Sequence, residues 1–309
     1  MDKKINLRDK KKNYLILARN FYNDDNKEKA LKSYIKALEF TENIKNKVSI
    51  LYDIALIYDE IGNKNKALET YEKIIEKAPE EAGAYYGMAI IYDDKKERDT
   101  ALKYYFKAID IDKEYDRAYF YIANIYDEKK DKKKAIEYYK KTIELAPYDF
   151  MAYNNLGAIY EELDMYEEAL EMINKSIDTN PYYYKALFNK GVIKKQLGDL
   201  EESVKYYDKS IELNNNYPYS YLNKSVIFIE SKQYKRAIES LTEGIKYNPS
   251  AEFLYYNRAC CYSKLNKISE TIEDLKISIK LYPRFKKIIA NDKDFDNLKD
   301  NKEFVELIK

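Results

Sequence analysis

A small residue recurs along this chain at a fixed interval. Ala67, Ala101, Ala135, Ala169, Ser203, Ala237 and Thr271 stand 34 residues apart, and Ala30 precedes Ala67 by 37. Pro79, Pro147, Pro181, Pro249 and Pro283 share a second phase of the same period, and Tyr58, Tyr92, Tyr126 and Tyr160 share a third. A period of this length means stacked supersecondary units, each unable to bury its apolar face alone. A single globular core is excluded, and the chain must build its interior between neighbouring copies of one motif.

Within a unit the apolar spacing is helical twice. Residues 118–129, "AYFYIANIYDEK", place Tyr119, Ile122, Ala123 and Tyr126 on one stripe, and "AIEYYKKTIELAP" places Ala135, Tyr139 and Ile143 on another before Pro147. Spacings of i, i+3, i+4 and i+7 mark a helix with one buried face. Proline closes the second helix, because it lacks an N–H and restricts the residue before it. The unit is an antiparallel helix pair. Eight such units begin near residues 11, 48, 82, 116, 150, 184, 218 and 252, the first carrying three extra residues before "SILYD".

This pattern resembles the tetratricopeptide repeat, whose signature the fifth unit meets with Tyr153, Gly157, Tyr160, Ala169, Ile173, Ser176 and Pro181. Lys194 and Thr271 are modest departures. The resemblance implies an all-α fold, a right-handed superhelical solenoid of antiparallel helix pairs whose first helices line a concave groove. It also implies a packing role for Gly157, Gly191 and Ala259, which let paired helices approach. On this reading residues 1–10 form a basic tail (Lys3 to Lys12), residues 11–283 the repeats, and residues 284–309 capping helices. A stacked array must cover its last apolar face, and Phe285, Ile288, Ile289, Phe295, Leu298, Phe304 and Leu307 suit that task. Their "DKDFDNLKDNKEF" setting is similar to an ending common after such arrays.

Composition narrows the function. Histidine is absent, which removes histidine metal ligands, serine–histidine nucleophiles and imidazole acid–base pairs. No phosphate-binding glycine loop occurs, so a non-catalytic role without cofactor is expected. The net charge is +1, with 55 basic against 54 acidic residues, which argues against a nucleic-acid partner. Adjacent Cys260 and Cys261 make neither a disulfide framework nor a four-ligand zinc site, and fit a reducing compartment. No apolar run is long enough to span a membrane. The expected setting is cytoplasmic.

Two rows of residues stand out as partner-binding candidates. Asn155, Asn189, Asn223 and Asn257 recur 34 apart inside first helices, where asparagine is disfavoured. The resemblance places this position in the groove, where an amide's donor and acceptor can pair with an extended peptide backbone. Earlier units carry Ile16, Asp53, Gly87 and Tyr121 there. The second row, Asp59, Asp93, Asp127 and Glu161, puts carboxylates near first-helix C-termini, against the macrodipole. Such a ledge would steer a basic partner segment, unless nearby Lys64, Lys96, Lys130 or Lys133 neutralises it. A carboxylate clamp of the kind some relatives use is not expected, since Leu222 and Val226 occupy its polar positions.

The tail holds a calcium-like spacing, Asp292, Asp294, Asp296, Asp300 and Glu303. Asn297 stands where the sharp turn wants glycine and Lys299 where an apolar residue belongs, so a solvated cap is the expected reading. The chemistry left to this chain is recognition: a scaffold or adaptor holding a peptide or protein, or an accessory subunit of an enzyme or assembly complex.

Overall fold

The structure, a computed structural model, describes residues 7–309 and divides into two compact units between Pro147 and Tyr148. In the first unit α1 (Leu7–Asn23) pairs with α2 (Lys27–Glu39), and α3 (Ile44–Glu60) with α4 (Lys64–Lys77). There α5 (Ala82–Asp94) pairs with α6 (Arg98–Ile111), and α7 (Asp116–Glu128) with α8 (Lys132–Leu145). In the second, α9 (Phe150–Glu162) pairs with α10 (Tyr166–Thr179), and α11 (Tyr184–Gln196) with α12 (Leu200–Leu213). Then α13 (Pro218–Glu230) pairs with α14 (Tyr234–Tyr247), and α15 (Glu252–Lys264) with α16 (Ile268–Leu281). The chain ends with α17 (Phe285–Ile289), a 3-10 segment at Lys293–Leu298 and α18 (Lys302–Ile308). Among the described residues there is no strand. Within each unit a helix packs first on its pair mate and then on the next pair, the arrangement of a helical solenoid.

One turn geometry repeats between pair mates. Asp25, Gly62, Lys96, Lys130, Asp164, Gly198, Lys232 and Asn266 all take the left-handed backbone region, with φ between 54° and 80°. Around Gly62, the Asn63 N–H donates to the Tyr58 carbonyl at 2.8 Å and the Gly62 N–H to the Asp59 carbonyl at 2.9 Å. These paired bonds satisfy carbonyls that a helix end otherwise leaves open, and reverse the chain in three residues. The tyrosine phase at 58, 92, 126 and 160 therefore marks the last full turn of each first helix.

Packing follows the repeat phases. Ala30, Ala67, Ala101, Ala135, Ala169, Ser203, Ala237 and Thr271 are all fully buried, the small residues across which pair mates approach. One turn further along the same helices, Tyr105, Tyr139 and Tyr207 are buried completely. Gly191 shows how close the approach is. A Cβ there would meet the Tyr207 ring at 2.8 Å, and one at Gly157 would meet Ile173 at 2.8 Å. Second helices stop before their prolines, with Ala78, Ala146, Asn180, Asn248 and Tyr282 turning out of helix.

The three extra residues before "SILYD" lengthen α3 to 17 residues, against 13 for α5. The basic start behaves differently from a free tail. Lys3 and Lys4 lie outside the described residues, whereas Arg8 to Lys12 are already inside α1. At the other end Phe285, Ile289, Phe295, Leu298 and Phe304 close over Ala259, Ile272 and Leu275 of the last pair, with Leu307 packed beside them. Ile288, grouped with these in the sequence, is instead 47% exposed, because the short α17 turns that position outward.

Candidate functional site

The asparagine row sits on α9, α11, α13 and α15, and its members use their amides in two ways. On α13 and α15 each folds back on its own helix: Asn223 Nδ2 donates to the Tyr219 carbonyl at 3.0 Å, and Asn257 Nδ2 to the Phe253 carbonyl at 2.8 Å. Back-bonding of this kind supplies the side chain with an acceptor four residues earlier and fixes its rotamer. Both residues are half-buried, and each amide keeps its oxygen acceptor and a second N–H beyond the back-bond. Asn189 Nδ2 instead donates to Asn154 Oδ1 at 2.9 Å, and Asn154 Nδ2 donates to Asn155 Oδ1 at 3.1 Å. Asn154 is buried, so this amide chain ties α9 to α11. On α3 the same repeat position holds Asp53, whose carboxyl is raised above its usual range by burial, opposed by Arg19 and Tyr34.

Sequence reasoning missed what lies one turn before Asn223 and Asn257. Tyr219 and Phe253, the residues whose carbonyls accept the back-bonds, stack with ring centroids 5.3 Å apart and planes 16° apart. Tyr219 is 47% exposed, so a wide apolar face borders the row. Their 34-residue separation and i−4 offset from Asn223 and Asn257 were the available signal.

The acidic ledge is occupied from within. Lys64 Nζ reaches Asp59 at 2.6 Å and Asp94 at 2.7 Å. Arg98 pairs with Asp93 and, through Nη2, donates to Glu128 at 2.8 Å. Lys132 holds Asp127 at 2.6 Å. Each cation starts a second helix, joins the carboxylate of its own first helix, and in two cases spans to the next pair. The neutralising residues are thus Lys64, Arg98 and Lys132, while Lys96 and Lys130 form the left-handed turn. Burial still holds the Asp93 carboxyl above its ordinary range against Arg98. Glu161, in the second unit, differs because Tyr166 stands where its counterparts have a cation. Burial raises its carboxyl most, Glu162 and Asp164 add to this, and a hydrogen bond with Gln196 opposes them.

The tail carboxylates are committed elsewhere. Asp292 Oδ1 accepts the Asp294 N–H at 2.9 Å and Oδ2 accepts the Tyr256 hydroxyl. Asp294 meets Lys264 at 2.7 Å, Asp296 meets Lys299 at 2.6 Å, and Glu303 pairs with Lys276. Cys260, Asp292 and Asp294 bring ligand atoms within 4.8 Å of one another, the one metal-like grouping among the described residues. Burial pushes the Cys260 thiol far above its usual range and that of Cys261 to about 12, so both are protonated and packed. No described helix is long and apolar enough to cross a membrane.

Comparison with known proteins agrees with this architecture. Family models of the tetratricopeptide repeat match residues 50–80, 82–115, 116–149, 138–171, 184–217 and 218–250. The chain is similar to the Photosystem I assembly protein Ycf3 of Synechococcus sp. strains CC9311 and CC9605, at 36% identity over 59 residues. That match spans 19% of this chain and about a third, 34%, of the length of those relatives. Among solved structures, the APC/C hetero-tetramer Cut9–Hcn1 contains a similar chain, with 16% identity and a TM-score of 0.61 over 91% of this chain and 56% of that one. PilF of Pseudomonas aeruginosa is also similar, with 19% identity and a TM-score of 0.57 over 70% and 96%. Both structures share the fold. With repeat models matched over more than half of its length and helix pairs in the corresponding places, the chain belongs to the tetratricopeptide-repeat family.

Proposed function

We propose that this protein is a non-catalytic protein-interaction scaffold that holds an extended peptide segment of its partner across the first helices of the second unit. Tetratricopeptide arrays are interaction scaffolds, and the observation that carries this reading further is the amide fixed by its own helix at Asn223 and Asn257. One N–H of each is tied to the helix, so the remaining acceptor and donor need no further ordering to meet a ligand. Packed helices lie about 8–10 Å apart, and an extended chain rises about 3.3 Å per residue. Successive asparagines therefore meet about every third peptide residue, with the Tyr219–Phe253 stack receiving an apolar side chain. Recognition is then mainly of backbone, and loosely constrained in sequence.

Glu161 is the ledge residue best suited to a basic group on that segment, since Asp59, Asp93 and Asp127 already serve cations of this chain. The expected partner is a protein, not nucleic acid, met without a cofactor in a reducing, cytoplasmic setting. The likeness to an assembly protein favours one second reading, in which the scaffold serves as an accessory subunit of an assembly complex.

Peptides selected from a random display library against the whole protein test the proposal. Their binding should weaken about tenfold or more when Asn223 and Asn257 are changed together to alanine. Equal binding to that variant and to the unaltered protein would refute the assignment.

A further inference from the structure

Between the sixth and seventh helix pairs an open pocket of about 320 Å³ is lined by Leu200, Val204, Ile227 and Phe228. On one wall Lys205 pairs with Glu202 at 2.9 Å and with Glu201 at 3.4 Å. The other wall is the first turn of α14, and its charge is not balanced. Lys232, Lys235 and Arg236 border this pocket or the depression adjoining it, and among the described residues none is in an ion pair.

Three features of that turn favour an anion. Cations there oppose the helix macrodipole, and no acidic residue accompanies them. Where other second helices begin with lysine or arginine, as α4, α6 and α8 do, those cations hold carboxylates of the chain. Glu239, one turn further along α14, closes no ion pair with Lys235 or Arg236. The N-cap Gln233 also gives no side-chain hydrogen bond to the helix. Its Oε1 instead accepts from Arg236 Nη1 at 2.7 Å.

The guanidinium is held by Gln233 and, among the described residues, is in no ion pair. Its carbon lies 4.1 Å from the Phe228 ring centroid, a cation–π contact at the pocket edge. A guanidinium presents a planar fork of donors that matches a carboxylate. Arg258 shows the complete form in this chain: its Nε and Nη2 both donate to Asp274 at 2.7 Å.

We propose that this edge binds an acidic peptide segment, one carboxylate side chain on Arg236 and the α14 N-terminus and an adjacent bulky apolar side chain in the pocket over Phe228. The observations that carry it are independent of the asparagine row, and so is its test. Fluorescence anisotropy of the whole protein with three labelled synthetic peptides decides the matter. The first carries leucine–phenylalanine flanked by glutamates, the second has glutamines for the glutamates, and the third has serines for leucine–phenylalanine.

The first peptide should bind, and the other two should bind about tenfold more weakly or worse. The double variant Lys235→Gln/Arg236→Gln should lose a similar factor for the first peptide at an unchanged melting temperature, since both side chains are exposed. Asn223→Ala/Asn257→Ala should leave it bound as before, which separates this edge from the peptide row. Three results would overturn the proposal: no binding of the first peptide, equal binding of the glutamine peptide, or binding indifferent to the α14 substitutions. Capture of phosphatidylserine vesicles in place of the peptide would also overturn it, in favour of a membrane surface.

Discussion

Asn189 and Asn223 occupy the same repeat position yet spend their amides differently, and the difference is measurable. Removing Asn189 leaves the buried Asn154 acceptor without its partner, which costs about 1–3 kcal/mol. Asn189→Ala should therefore destabilise the protein in urea titrations, whereas Asn223→Ala or Asn257→Ala should be neutral or gain a few tenths of a kcal/mol from helix propensity. Equal losses at all three would make the whole row structural. The repeat phase showed where these residues stand. It could not show Asn154, one position off the phase, nor choose between a back-bond and a cross-helix bond, since that depends on rotamers fixed by neighbouring pairs. Glu161 makes a second residue-scale prediction through its raised carboxyl. A raised carboxylate favours the folded state below its unfolded pKa, and that contribution is lost as pH rises through the folded value. Glu161→Gln should accordingly raise the melting temperature at neutral pH, and the gain should shrink as both forms are taken into the acidic range. A gain independent of pH would show that charge burial is not its cause.

The turn between pair mates belongs to the scale of the element. Eight left-handed residues close eight first helices, but only Gly62 and Gly198 are glycine. A side chain in that region costs about 1–2 kcal/mol, offset by glycine's greater freedom when unfolded. Lys96→Gly and Lys130→Gly should each therefore stabilise the protein by about 1 kcal/mol in chemical denaturation, because neither lysine forms the ledge ion pairs. A loss of stability would mean that those side chains hold something the turn needs. Most of the element scale was legible in the sequence: prolines end helices, small residues are the buried contacts, and helices from Ala82 onward start where the units were placed. The ledge was legible only in part. Sequence proximity suggested Lys64, Lys96, Lys130 and Lys133 as its neutralisers, but three-residue turns carry the first residue of the next helix back alongside the carboxylate. Arg98 and Lys132 thus complete the pairs with Lys64. The extra turn of α3 was likewise hidden, because three inserted residues can extend a helix or a loop.

At the scale of the whole molecule, the chain is a nearly neutral array of repeats whose acidic ledge in the first compact unit is paired with cations of the same chain. The repeats bury their small residues and several of their tyrosines, and the Tyr219–Phe253 stack lies one turn before the back-bonded Asn223 and Asn257. The two thiols report on that packing. Cys260 and Cys261 are buried and protonated, so a thiol reagent should modify them only as fast as the protein opens, and rapid labelling under native conditions would contradict the packed last pair. The central claim is that the second unit reads a peptide's backbone through asparagines on successive first helices. It is tested most directly by methylating, one at a time, the backbone nitrogens of a peptide selected for binding, and measuring each affinity. The account predicts losses recurring about every third residue, with most side-chain replacements tolerated outside the position on the aromatic stack. Affinity insensitive to backbone methylation but sharply dependent on side chains throughout the peptide would contradict it.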